Sequence, residues 1–99
     1  MATLQFTVWD TASSVANGPV KNEGTITIGG TSAAGAVIDA TGGNKGRRVR
    51  VFADTACWVT WGENPTAVND GSEGRAMGAE NPEYFDIPAN LKIAVIQRT

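Results

Sequence analysis

The chain predicts an all-β fold: an antiparallel β-sandwich or jelly-roll-like single domain, residues 1–99, of seven to eight short strands. Three observations carry that expectation. Apolar residues alternate with polar ones over short runs, the period of a strand with one packed face. The 12 glycines cluster between those runs, where turns require them. No segment sustains an apolar stripe at the helical period, and no repeat or linker divides the chain. Strands with one apolar face bury it by packing two sheets together.

Taken in order, Leu4, Phe6 and Val8 alternate with Gln5, Thr7 and Trp9 in a first strand. The segment 10–19 is small and polar and ends in Asn17-Gly18-Pro19, a loop with turn chemistry. Residues 24–28 (GTITI) alternate Ile with Thr and stop at Gly29-Gly30, and a short run Ala36-Val37-Ile38 is closed by Thr41-Gly42-Gly43-Asn44. Beyond residue 62, Glu63-Asn64-Pro65 makes a turn, and 68–78 is irregular with a short strand around Ala76-Met77. Residues 83–87 (EYFDI) and 91–97 (LKIAVIQ) are two closing strands joined by Pro88-Ala89-Asn90.

Residues 47–62, RRVRVFADTACWVTWG, read as a hairpin with two unlike faces. Val49 and Val51 alternate with Arg48, Arg50 and Phe52, while Cys57, Val59 and Trp61 alternate with Trp58 and Thr60. A three-residue loop Asp54-Thr55-Ala56 sets Val51 opposite Val59 and Val49 opposite Trp61. Phe52 then meets Trp58, and Arg50 meets Thr60, on the other face. A loop one residue longer or shorter would mix the faces, because one step of register reverses every side chain. Three or five residues fit, and three is the commoner hairpin length. The outward patch of Arg48, Arg50, Phe52 and Trp58, with Trp9 and Tyr84 as further contact candidates, is the expected interface. Aromatics and Arg are what interface centres use.

Composition narrows the function. A hydrophobic fraction of 41% with 18% charged residues fits a folded chain with one core. The formal net charge of −2 lacks the cationic surplus that nonspecific nucleic-acid binding needs. No secretory segment or bilayer-length apolar run is visible, and the lone Cys57 makes no intrachain disulfide, so synthesis in a cytoplasm is expected. With no histidine, the commonest general base, metal ligand and nucleophile partner are all missing. Cys57 falls on the packed face, as a small core group. The 10 carboxylates read as solvated loop groups, and Asn69-Asp70-Gly71-Ser72-Glu73-Gly74 lacks the acidic spacing of a calcium loop. Gly29-Gly30 and Gly42-Gly43 are not followed by Lys-Ser/Thr and do not cradle phosphate. Lys45, Arg47, Arg48 and Arg50 form the basic cluster; Arg48 and Arg50 share a strand face, placed to meet a carboxylate-rich surface or a phosphate, and the plainer reading is solubilising charge that guards an exposed strand. The expectation is a non-enzyme with no cofactor and no metal, built to bind.

Residues 47–97 carry a further pattern: a basic-aliphatic strand leads to Asp-Thr-Ala-Cys-Trp-Val, then Gly-Glu-Asn-Pro-Thr-Ala, then Pro-Glu-Tyr-Phe and a closing Lys-Ile-Ala-Val-Ile. This half resembles small proteins encoded near the capsid genes of tailed bacteriophages, and the N-terminal half adds nothing to the likeness. The resemblance implies a β-sandwich virion protein, a capsid cement (decoration) protein. Such proteins bind the outside of an assembled shell and bridge major capsid protein subunits. It further implies self-association as a homodimer or homotrimer and residence on the virion after synthesis in the bacterial host, while the charge and hydropathy above give the expectation of no nucleic-acid or membrane partner. A carbohydrate-binding or other accessory sandwich of the phage tail or head-tail region is the alternative, motivated by aromatic rings available to stack on sugars.

Overall fold

The computed structural model describes residues 2–10, 22–40, 45–68 and 74–98. The turn at Asn17-Gly18-Pro19, the Thr41–Asn44 turn and most of the 69–74 loop lie outside the described residues.

Among the described residues, eight strands run β1 (Thr3–Asp10), β2 (Asn22–Thr27), β3 (Ala33–Ala34), β4 (Gly46–Ala53), β5 (Cys57–Gly62), β6 (Arg75–Met77), β7 (Glu83–Pro88) and β8 (Lys92–Gln97). They form two antiparallel four-stranded sheets, ordered β2-β1-β4-β7 and β3-β8-β5-β6. The pairs β1/β2, β3/β8, β4/β7 and β5/β6 are each hydrogen-bonded. Successive pairs alternate between the two sheets, which is a long antiparallel ribbon rolled on itself, the jelly-roll form of a sandwich.

The alternation seen in the sequence sets what the sheets bury. Leu4, Phe6 and Val8 of β1, Val49, Val51 and Ala53 of β4, and Phe85 and Ile87 of β7 face inward from the first sheet. Cys57, Val59, Met77, Ile93 and Val95 meet them from the second. Full burial of a Val, Leu, Ile or Phe side chain stabilises by ~1.5–3 kcal/mol, so this layer dominates the fold. Trp61 is half-buried at its margin, its ring 5.1 Å from that of Phe85. Two glycines are required by their neighbours. A side chain at Gly24 would strike the Phe6 ring opposite it, and Gly74 (φ 116°) lies against the Val59 carbonyl in a backbone conformation L residues avoid.

Two expectations are corrected. The run 36–38 is not a regular strand; the strand is Ala33–Ala34. The chain beyond it still donates to β8 and its turn: Gly35 N–H to Ile93 O continues the β3/β8 register, and Ile38 N–H to Leu91 O is one residue out of it.

The larger correction concerns 47–62, which is not a hairpin. β4 pairs with β1 and β7, and β5 with β8 and β6, so the chain crosses from one sheet to the other at residues 54–56. Val51 and Val59 are not cross-strand partners, and neither are Phe52 and Trp58. Alternation could not distinguish the two geometries. In a three-residue hairpin and in a three-residue crossing alike, Ala53 and Cys57 point to the same apolar interior. Hydrogen bonding at the crossing decides it. Thr3 N–H donates to the Asp54 carboxylate at 2.9 Å, Asp54 N–H returns to Thr3 O, and Arg98 N–H donates to Ala56 O. Each end of the connection is thereby tied to a different sheet.

Candidate functional site

The register of the first sheet assembles its outward face residue by residue. Along β4, Arg48, Arg50 and Phe52 point away from the core, opposite Trp9, Thr7 and Gln5 of β1. On the other flank Arg48 lies opposite Asp86 and Arg50 opposite Tyr84. Glu23 and Thr25 of β2 continue the same face beside Thr7 and Gln5. Five of the six expected contact residues, Trp9, Arg48, Arg50, Phe52 and Tyr84, therefore occupy one sheet face.

Their surroundings differ. Tyr84 is 54% exposed and is the one large hydrophobic residue so exposed among the described residues. Arg50 and Phe52 are half-buried, with the guanidinium carbon 5.6 Å from the Phe52 ring centroid. That cation–π contact holds an otherwise long, free side chain over the ring. Arg48 reaches Asp86 at 3.5 Å across an open surface, a pair of small energetic weight. Trp9, only 9% exposed, offers little surface of its own.

Trp58 does not join this group. It points out of the second sheet, opposite Ile96 of β8 and Ala76 of β6. There it packs on a second small cluster, Ala67, Ala94 and Ile96, under the segment that follows β5. Ala67 N–H donates to Ser32 Oγ at 2.8 Å, which fastens that segment down, and the Arg98 guanidinium sits 5.7 Å from the Trp58 ring. The side chains of 48, 50, 52 and 58 thus do not project together.

Nor is the basic cluster one surface. Arg47 shares the parity of Val49 and Val51, points inward and is buried. Its Nε donates to Asp39 Oδ2 at 2.8 Å, and that carboxylate is equally buried. Asp39 N–H donates to Ala89 O, so this clasp binds the segment before β4 to the β7–β8 turn. Position 39 was not singled out from the sequence. An arginine on the inward parity of an apolar strand is the signal that demands a buried acid.

Burial pushes the Cys57 thiol up to about 11, leaving it protonated and unreactive at neutral pH. Among the described residues no three of His, Cys, Asp or Glu come together to hold a metal ion. Among the described residues no helix is long and apolar enough to cross a membrane. The outward face of the first sheet presents one exposed phenol, Tyr84, and one ring-mounted guanidinium, Arg50 over Phe52. Searches against protein-family models, curated proteins and solved structures find no match to the chain.

Proposed function

We propose that this is a phage capsid cement (decoration) protein that lays the outer face of its first sheet on an assembled shell and bridges neighbouring major capsid subunits. The observation that carries the reading is the Arg50–Phe52–Tyr84 group: an aromatic-Arg patch on a rigid sheet, with Tyr84 exposed. Interfaces concentrate binding energy in such residues. The half-chain likeness over 47–97 supplies the kind of partner. A shell presents one docking surface many times, and a bridging, self-associated protein gains retention from several modest contacts at once. In this reading the protein works on the virion surface, needs no cofactor, and is made in the bacterial host cytoplasm. The glycan-binding alternative would have to do without a joint platform of Trp58 and Tyr84, because the two lie on opposite sheets.

The test is occupancy on purified shells. The double variant Arg50→Ala/Tyr84→Ala, folded as judged by its thermal transition, is expected to lose about tenfold or more in affinity, which corresponds to ~1.4 kcal/mol. Undiminished occupancy overturns this placement of the docking face.

A further inference from the structure

Sheet edges are where chains add to one another, and natural sheets guard them with brevity, charge or proline. Of the four edges that the described strands leave, three are guarded. β3 is two residues long and β6 three, and β7 carries Glu83, Asp86 and Pro88. β2 is the exception: six residues, NEGTIT, no proline, no lysine, and one charge near its start.

The register tells which backbone groups that edge presents. Ile28 N–H donates to Ala2 O at 2.9 Å, in line with the β1/β2 pairing. In an antiparallel ladder the groups facing a given neighbour alternate, so residues 24, 26 and 28 turn toward β1. Glu23, Thr25 and Thr27 then turn their N–H and C=O outward, and no partner is recorded for these among the described residues. Their side chains are all exposed on the outer face.

We infer that β2 is a self-association edge, and that two copies of the chain join there antiparallel about a two-fold axis through Thr25. The register follows from the positions of the outward groups. Thr25 pairs with Thr25 of the second copy, and Glu23 pairs with Thr27 on each side. All three outward positions are then hydrogen-bonded. The pairing also suits the charges, because each Glu23 meets a threonine and the two carboxylates stay four residues apart along the ladder. Like charges directly opposite would be destabilising, and threonine pairs are favourable. The product is one continuous eight-stranded sheet, and isologous pairing closes it at the dimer. Both copies present their Arg50–Tyr84 faces on the same side of that sheet. The inference stands apart from the capsid reading, since it is measured without shells.

Sedimentation equilibrium of the full chain in the micromolar range is expected to give twice the 10.3 kDa chain mass. Thr25→Lys places two ammonium groups together on the axis and should return the mass to that of one chain. Because Thr25 is exposed, this variant keeps its fold and its thermal transition. Register is read by cysteine pairing under mild oxidation. Thr25→Cys should crosslink to a covalent dimer, since directly paired Cα atoms lie at ~5.5 Å, within disulfide reach. Thr27→Cys, which faces Glu23, should not crosslink, and the native Cys57 is buried and takes no part. A monomeric native chain, a dimer that survives Thr25→Lys, or equal crosslinking at 25 and 27 overturns the proposal.

Discussion

The outward faces of the two sheets are built from the same alternating pattern and end differently. On the second sheet, Trp58, Ala94 and Ile96 form an apolar surface that the chain covers itself, with Ala67 lowered onto it and fastened to Ser32. On the first, Arg48, Arg50, Phe52 and Tyr84 form a mixed surface on which Tyr84 stays exposed. The lesson is that alternation identifies the outward residues and leaves open which of them the chain keeps for its own packing. Trp58 is spent on the fold; Tyr84 remains available.

The comparison breaks most completely if the clasp beneath both sheets is removed. Asp39→Ala removes the buried carboxylate to which Arg47 Nε donates and should cost ~3–5 kcal/mol in chemical denaturation. A loss below ~1 kcal/mol would mean that the Asp39 carboxylate is not what holds Arg47 in place, its other acceptors, Gly46 O among them, sufficing.

Next in size is the contrast between the two outer faces. Trp58→Ala should cost ~2–3 kcal/mol, somewhat under the value for a fully buried ring, because a void opens beneath the covering segment. Phe52→Ala should cost ~1 kcal/mol, the cation–π contact plus partial burial. Equal losses would erase the distinction drawn between the faces.

The interior offers a comparison of similar size. An unfolded Cys57 ionises near 9.0, while the folded thiol keeps its proton to about 11. Between those values the folded state binds more protons, so stability falls as pH rises, by ~2–3 kcal/mol in total. Cys57→Ala should flatten that decline, and an unchanged slope would place its source elsewhere. The smallest effect belongs to Tyr84→Ala, expected to change stability by less than ~0.5 kcal/mol as a surface substitution.

Much of the fold was legible. The periods of β1, β4, β5 and β7 marked their inward residues, because each strand has one wet face. The hairpin was misread because parity is identical for a turn within a sheet and a crossing between sheets. The sequence 54–56 did hold a clue: Asp-Thr-Ala offers no glycine for the left-handed residue that three-residue hairpins favour. β8 held another. KIAVIQ does not alternate, and an unbroken apolar run marks a strand buried on both faces. It announced that something covers the sheet β8 belongs to; that Trp58 lies on that covered face depends on the β5/β8 pairing. Of the candidate site, the shared face of Arg48, Arg50 and Phe52 was readable from one strand. Its juxtaposition with Tyr84 depends on β4 pairing with a strand some thirty residues later, which local pattern does not encode.

Hydroxyl-radical footprinting of the chain, free and bound to shells, tests the central claim most directly, because it reads both outer faces in one sample. Protection of Tyr84 and Phe52 on binding, with Trp58 unchanged, is the predicted result. Protection at Trp58 with Tyr84 still reactive would contradict it.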